Sequence, residues 1–439
     1  MRATTSHHLP IPSMPGALPL LGHMPQLRRQ PLEFVRSLRA HGDVVRFRLG
    51  PRAAYAVNSP VLIRQLLVTE AAADAPVPRR GPVRPVFHPS RIRQYAATMC
   101  ELAEARVDSW RHGAEILLDQ ELFSLSLATV TKVLFSGHAG QRLAEDIRRT
   151  VPVLLEGLGR RALTPVSALD RLPTPMNLRF KRALRTLQEA VRHTIAEYRA
   201  DPAGGLESGD LLSMLLTARD EATGAGLSDE QVYDEVLTML IAGTETTAGA
   251  LSWACHLLSR NHDAQRRFQR ELDEALGRRD VRHVSHETLQ ELAFQQRVIA
   301  ETLRLYPSTW TLTRRPTNDV EFAGHRIPAG ATVLFSIYAL QRDPELFAHP
   351  EQFDPDRWLP ESTPGIPWDA YIPFGSGLRG CAGEQFARAE MAAFLSVIFS
   401  RCSVQPVPGR PAHLVTRLMP MPSAMPLIVR RRPRSDRRW

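Results

Sequence analysis

Two stretches of the chain carry residue types and spacings that could do chemistry. The first is Phe374-Gly-Ser-Gly377-Leu-Arg379-Gly-Cys381-Ala-Gly383, followed directly by a helical pattern. Its glycines permit tight backbone turns and close approach to a flat ligand. Cys381 falls just before the first turn of the helix, where amide N–H groups and the helix dipole stabilise an anionic sulfur. The loop therefore reads as a device that delivers one thiolate to a cofactor; the alternative is a buried cysteine in a glycine-rich turn. The second stretch is Ala242-Gly-Thr-Glu245-Thr246-Thr247, inside a long helix opened by the capping box Ser228-Asp-Glu-Gln231. Threonines and a glycine are poor mid-helix residues, and the Thr246 hydroxyl can bond back to the Ala242 carbonyl, bending the helix. A groove with a carboxylate and a hydroxyl beside it offers room for a diatomic ligand and a route for protons. Close helix packing is the plainer alternative.

The first stretch resembles the heme-thiolate signature of the cytochrome P450 family, which runs Phe, two residues, Gly, one, Arg, one, Cys, one, Gly; Phe374, Gly377, Arg379, Cys381 and Gly383 fill every fixed position. The second resembles that family's acid–alcohol pair, with Glu245 as acid and Thr246 as alcohol. Glu301-Thr-Leu-Arg304 and Phe353-Asp-Pro355-Asp-Arg357 resemble two further family motifs, in family order. By spacing alone Glu301 and Arg304 share a helix face, and such a pair is ordinarily a surface salt bridge. The resemblance instead implies a buried structural triad of Glu301, Arg304 and Arg357.

The resemblance also implies one b-type heme between the Glu245 helix and the Cys381 helix. Cys381 would be the proximal ligand, donating electron density that favours O–O cleavage. Phe374 and Gly375 would line the thiolate side, and Ala242 the opposite face. Arg379, Arg314 and Arg80 would neutralise propionates, because a guanidinium fork suits a carboxylate. Glu245 and Thr246 would manage protons, and Trp310, Leu312 and Met421 would line the substrate pocket. Residues 71–89, with five prolines, depart from the family: much of the usual lid is missing and Pro76 stands where a His is usual.

The implied activity is insertion of one oxygen atom from O2 into a hydrophobic small molecule. Similarity of the N-terminal Pro/Gly segment and of Phe87-His88-Pro to bacterial terpenoid enzymes points to a terpenoid or other secondary metabolite, alongside polyketide and fatty-acid derivatives. No flavin or iron–sulfur domain is apparent, so a ferredoxin-type donor with its reductase is expected, docking on the basic Cys381 side. Two other readings are a heme-binding protein without turnover, because the lid is short, and a non-oxygenating rearrangement enzyme.

The 439 residues are basic, at net charge +9, and nearly all the positive charge is arginine. The Arg430 to Trp439 tail lacks any nucleic-acid motif beside it and reads as a frayed, solvated end. No apolar run of about 18 residues indicates a membrane anchor. Four cysteines without metal-like spacing fit a reducing cytoplasm.

These features imply a mainly α protein with a small β lobe, the cytochrome P450 fold. It is expected as one monomeric domain over 15–430, with a flexible 1–14 segment and a basic 431–439 tail. Val44–Leu49 and Ala54–Val57 predict a hairpin; Phe294–Leu305 predicts a helix stopped by Tyr306-Pro307. Breaks are expected near Pro152 and Pro165, and Met419-Pro-Met-Pro422 is expected as a hairpin turn.

Overall fold

The computed structural model describes residues 8–68, 87–135, 138–162, 172–200, 209–219, 224–276, 286–362, 365–416 and 419–433. The chain forms two compact units, each assembled from two separated stretches: Met1–Pro78 with Leu303–Cys381, and Arg79–Thr302 with Ala382–Trp439.

The first unit is built on a four-stranded sheet. Val44–Leu49 and Arg52–Val57 form the expected antiparallel hairpin, with Val44 opposite Val57. Its second strand then pairs in parallel with Thr332–Phe335, which pairs antiparallel with Leu312–Arg314. Strand alternation sends Val45, Phe47, Ala54 and Ala56 to one face, against Phe34, Val35 and Leu38 of the Pro31–Arg39 helix. Val44, Tyr55, Val57, Val333 and Phe335 go to the other face, against Leu62, Ile63, Leu66 and Leu67 of the Pro60–Val68 helix. Both faces are thus buried toward the Val44 and Val57 end of the hairpin, while Arg46, Arg48 and Arg52 stay exposed toward its turn. A separate two-stranded ribbon joins Val320–Phe322 to His325–Ile327. Residues 9–14, expected to be flexible, are pinned: Arg46 N–H donates to the Pro12 carbonyl at 2.7 Å and Met14 N–H to the Arg46 carbonyl at 2.8 Å.

The second unit is helical, with a three-stranded sheet of Glu115–Leu117, Pro426–Arg431 and Cys402–Pro406, the middle strand being the last in sequence. Its longest helix, Asp229–Arg260, opens on the predicted capping box: Ser228 accepts from Gln231 N–H and the Gln231 side chain accepts from Ser228 N–H. Helix Glu384–Arg401 is buried almost all round, with every residue from Ala389 to Phe399 inside, as expected of a core helix.

Three further expectations need correcting. The chain does not break at Pro152; one helix runs His138–Ala162 through it. Pro152 is exposed while Ile147, Val151, Leu154 and Leu155 are buried, so packing on both sides of the proline holds the helix together despite the lost hydrogen bond. Pro420–Pro422 is a strand, not a turn, and pairs antiparallel with Leu414–Thr416 so that Met421 faces Val415. The basic tail is not frayed at its start. Arg431 donates to the Val107, Asp108 and Trp110 carbonyls at the end of helix Pro89–Asp108. Arg432 does the same for Phe399 and Ser400 at the end of Glu384–Arg401. A guanidinium satisfies the orphan carbonyls and complements the helix dipole there. The break near Pro165 lies outside the described residues.

Candidate functional site

The thiol loop belongs to the first unit. It is shaped by Gly375 and Gly377, both at φ 69°, a conformation that disfavours any other residue. Gly377 has a second reason: a Cβ there would penetrate the Leu67 carbonyl. The turn closes through Gly380 N–H to the Gly377 carbonyl at 3.0 Å and Cys381 N–H to the Phe374 carbonyl at 2.8 Å. Arg379 ends the short 3-10 turn Gly377–Arg379, and the next helix starts at Glu384. Of the four cysteines only Cys381 is exposed; Cys100, Cys255 and Cys402 are buried. Burial pushes the Cys402 thiol up to about 11 and raises Cys255 further still, so both stay protonated.

Strand Leu312–Arg314 lies against this loop. Leu312 Cδ1 would be 3.8 Å from a Cβ at Gly375. Arg314, two residues on, is nearly buried; it donates to the Thr313 carbonyl at 2.9 Å and lies 5.9 Å from the Phe335 ring centre. Trp310 packs on the sheet face formed by Phe34, Leu38 and Leu334.

Behind the loop is a scaffold that sequence reasoning found only in part. Arg304 is fully buried, and its guanidinium donates to the carbonyls of Gln341 (2.9 Å), Pro350 (2.7 Å) and Gln352 (3.1 Å). Arg357 donates to the Ala348 carbonyl at 2.7 Å. Gln341, fully buried, donates to the Leu303 and Arg304 carbonyls and accepts from Ile372 N–H at 3.1 Å. Nothing in the sequence marked Gln341, one of several polar residues that follow the short helix Ile337–Leu340.

In the second unit, Ala242, Glu245 and Thr246 lie on Asp229–Arg260, which is α-helical throughout. Thr246 Oγ1 donates to the Ala242 carbonyl at 2.6 Å, the expected back-bond, and Thr244 makes the same bond to Leu240 at 2.7 Å. Thr244 is buried, whereas Ala242 is exposed and Glu245 and Thr246 are partly so. Gly243 lets Val130 approach, its Cγ2 standing 3.2 Å from where a Cβ would be. Gly249, three residues beyond Thr246 and so on the same face, admits Met421, whose Sδ would be 2.6 Å from a Cβ there. Trp253 Nε1 fixes that strand by donating to the Pro420 carbonyl at 2.9 Å. Glu301 is fully buried on helix Ala293–Leu305. Arg80 and most of the 71–89 stretch lie outside the described residues.

The structure therefore gathers Phe374, Gly375, Arg379, Cys381, Leu312 and Arg314 in one unit, and Ala242, Glu245, Thr246 and Met421 in the other. A single accessible thiol on a glycine cradle, with a nearly buried guanidinium on the neighbouring strand, fits a flat, anionic, metal-bearing ring. Such a donor set is what a heme-thiolate site would require.

Comparison with known proteins agrees. Residues 79–425 match the family described as Cytochrome P450. Cyclooctatin synthase of Streptomyces melanosporofaciens is 38% identical over 431 residues, covering 93% of this chain and 92% of the relative. Pentalenene oxygenase of Streptomyces avermitilis is 37% identical over 428 residues, covering 92% of this chain and 94% of the relative. The solved structure of retinoic acid bound cyanobacterial CYP120A1 superposes with a TM-score of 0.83 at 25% identity, covering 97% of this chain and all of that one. The chain belongs to the cytochrome P450 family. It is a heme-iron monooxygenase that uses dioxygen, electrons from a redox partner and a hydrophobic substrate.

Proposed function

We propose that this monooxygenase inserts one oxygen atom into a terpenoid, using heme b held by Cys381. The observation that carries the reading is the Cys381 loop: the one exposed thiol of four, tied to Phe374 and turned by two glycines at positive φ. The substrate class rests on similarity to two enzymes whose names specify cyclooctatin and pentalenene chemistry. When bound, the heme supplies the redox chemistry by which dioxygen is split and one atom transferred.

The residues of this chain then have distinct tasks. Arg314 and Arg379 neutralise the ring carboxylates, as guanidinium forks do best. Phe374 and Gly375 shield the sulfur side of the ring from solvent, and coordination to the heme iron would keep the sulfur anionic. Thr246 Oγ1 gives its hydrogen to the Ala242 carbonyl, which leaves its lone pairs directed outward to accept a proton donor. The Glu245 carboxyl, one residue back, relays protons to that hydroxyl. Leu312 and Met421 offer apolar contact to substrate, and Trp310 backs the same strand. Among the described residues no helix is long and apolar enough to cross a membrane. We assign the enzyme to the cytoplasm, as a monomer served by a ferredoxin-type donor and its reductase.

The test is direct. The purified, reduced protein is treated with carbon monoxide, then supplied with ferredoxin, its reductase, NAD(P)H and a panel of cyclic terpenes. A red-shifted Soret band that Cys381→Ala abolishes, together with a hydroxylated or epoxidised terpene, is expected. A heme spectrum unchanged by Cys381→Ala, or oxygenated product only from fatty acids or polyketides, would overturn the ligand or the substrate assignment respectively.

A further inference from the structure

Helix Glu384–Arg401 carries a carboxyl group with no part in the site above. Glu390 is fully buried, and neither of its carboxyl oxygens has a hydrogen-bond partner in the protein. The same holds for two buried hydroxyls on helix Leu118–Leu134, Ser126 Oγ and Thr129 Oγ1. Ser126 and Thr129 are three residues apart and share a face. Ser126 lies close enough to Glu390 to favour its charged form slightly, although the geometry falls short of a hydrogen bond, and the burial that disfavours that form outweighs it, taking the carboxyl up to about 8.

Four buried polar atoms without protein partners are unusual in a native interior, where such groups are almost always bonded to protein or to ordered water. Water is the occupant their chemistry selects. A cation would need an ionised carboxylate and further ligands, and no group of three or more acidic, His or Cys side chains gathers among the described residues. A neutral carboxyl offers one O–H donor and one carbonyl acceptor, and each hydroxyl can do either, which matches the about three bonds a buried water makes.

We propose that Glu390 is a neutral carboxylic acid that encloses, with Ser126 and Thr129, a binding site for internal water. Val130, next after Thr129 on this helix, is the residue packed on Gly243 of the groove helix.

The test uses the full-length holoenzyme. Infrared difference spectra of wild type against Glu390→Gln at neutral pH should show a carboxylic-acid carbonyl band that the substitution removes. Ser126→Ala combined with Thr129→Val should shift that band by removing the partners of the bridging water. A crystal structure should show ordered water touching Glu390 and Ser126. A carboxylate band at neutral pH would overturn the neutral acid. A dry seam in the crystal, or a band that the double variant leaves unmoved, would overturn the water site. Should Glu390→Gln fail to fold, the crystal structure and the double variant decide on their own.

Discussion

Arg304 and Gln341 grip each other reciprocally: the Arg304 guanidinium donates to the Gln341 carbonyl at 2.9 Å, and the Gln341 amide donates to the Arg304 carbonyl at 3.1 Å. Gln341 also holds Ile372 N–H, two residues before the thiol loop. Breaking this network leaves buried carbonyls and an amide bare. Arg304→Ala is expected to cost roughly 3–5 kcal/mol, and Gln341→Leu roughly 1–3 kcal/mol for each group stranded. Urea unfolding curves measure both. Arg304→Lys should rescue little, since an ammonium lacks the planar fork that reaches three carbonyls.

Cys381 is the exposed thiol among four. Ellman titration of heme-free native protein should find one fast-reacting thiol, and denatured protein all four. Cys381→Ser should leave none reactive in the native state. Fast reaction of a second thiol would contradict the burial of the other three.

Gly377→Ala should be severe, because the position combines φ 69° with a Cβ driven into the Leu67 carbonyl. Strain of this kind costs of order 1–3 kcal/mol for the backbone alone. A lowered urea midpoint and reduced heme incorporation are expected, whereas Gly113→Ala, at a positive φ with open space around it, should lose only the backbone part.

Glu390 and His256 give stability opposite pH slopes. Burial takes Glu390 from 4.5 to about 8, so the folded state keeps a proton that the unfolded chain releases; stability is fully present below 4.5 and lost as pH rises toward 8. Burial lowers His256 from 6.5 to about 4, so its contribution is present above 6.5 and lost as pH falls toward 4. The clean window for Glu390 is therefore 6.5 to about 8, where stability should fall by up to about 1.4 kcal/mol per pH unit. Denaturation across that window, repeated on Glu390→Gln, should show the slope disappear.

Thr246→Val preserves the β-branched shape but removes the hydroxyl bonded to Ala242. Helix content and heme binding should be retained. Product formed per NAD(P)H consumed should drop, by roughly the 100-fold at the low end for a lost proton-transfer group. Unchanged coupling would remove Thr246 from proton handling.

Much of the first unit's site was legible because its demands are local. Positive φ forces glycine at 375 and 377, and a thiolate needs its helix start, so the pattern is written within ten residues. The Thr246 back-bond was legible for the same reason, as its partner is four residues away. Gln341 and Ser126 were not: the groups Gln341 bonds and the carboxyl Ser126 lies near are far off in sequence, and a single Gln or Ser carries no periodic signal. Pro152 misled because local propensity was outweighed by packing at Ile147, Val151 and Leu154. The tail misled because its charges were read without the helix ends they cap.

The interleaving of the two units also sets an order in time. Strand Arg52–Val57 waits for Thr332–Phe335 before its sheet can close. Helix Pro89–Asp108 waits for Arg431 to reach its last carbonyls. Chains grow N-terminus first, so the early stretch of each unit must wait for a partner made much later in the chain. The last described arginines act as a completion seal, and a chain released a few residues short would leave the oldest helix of its second unit open at the end.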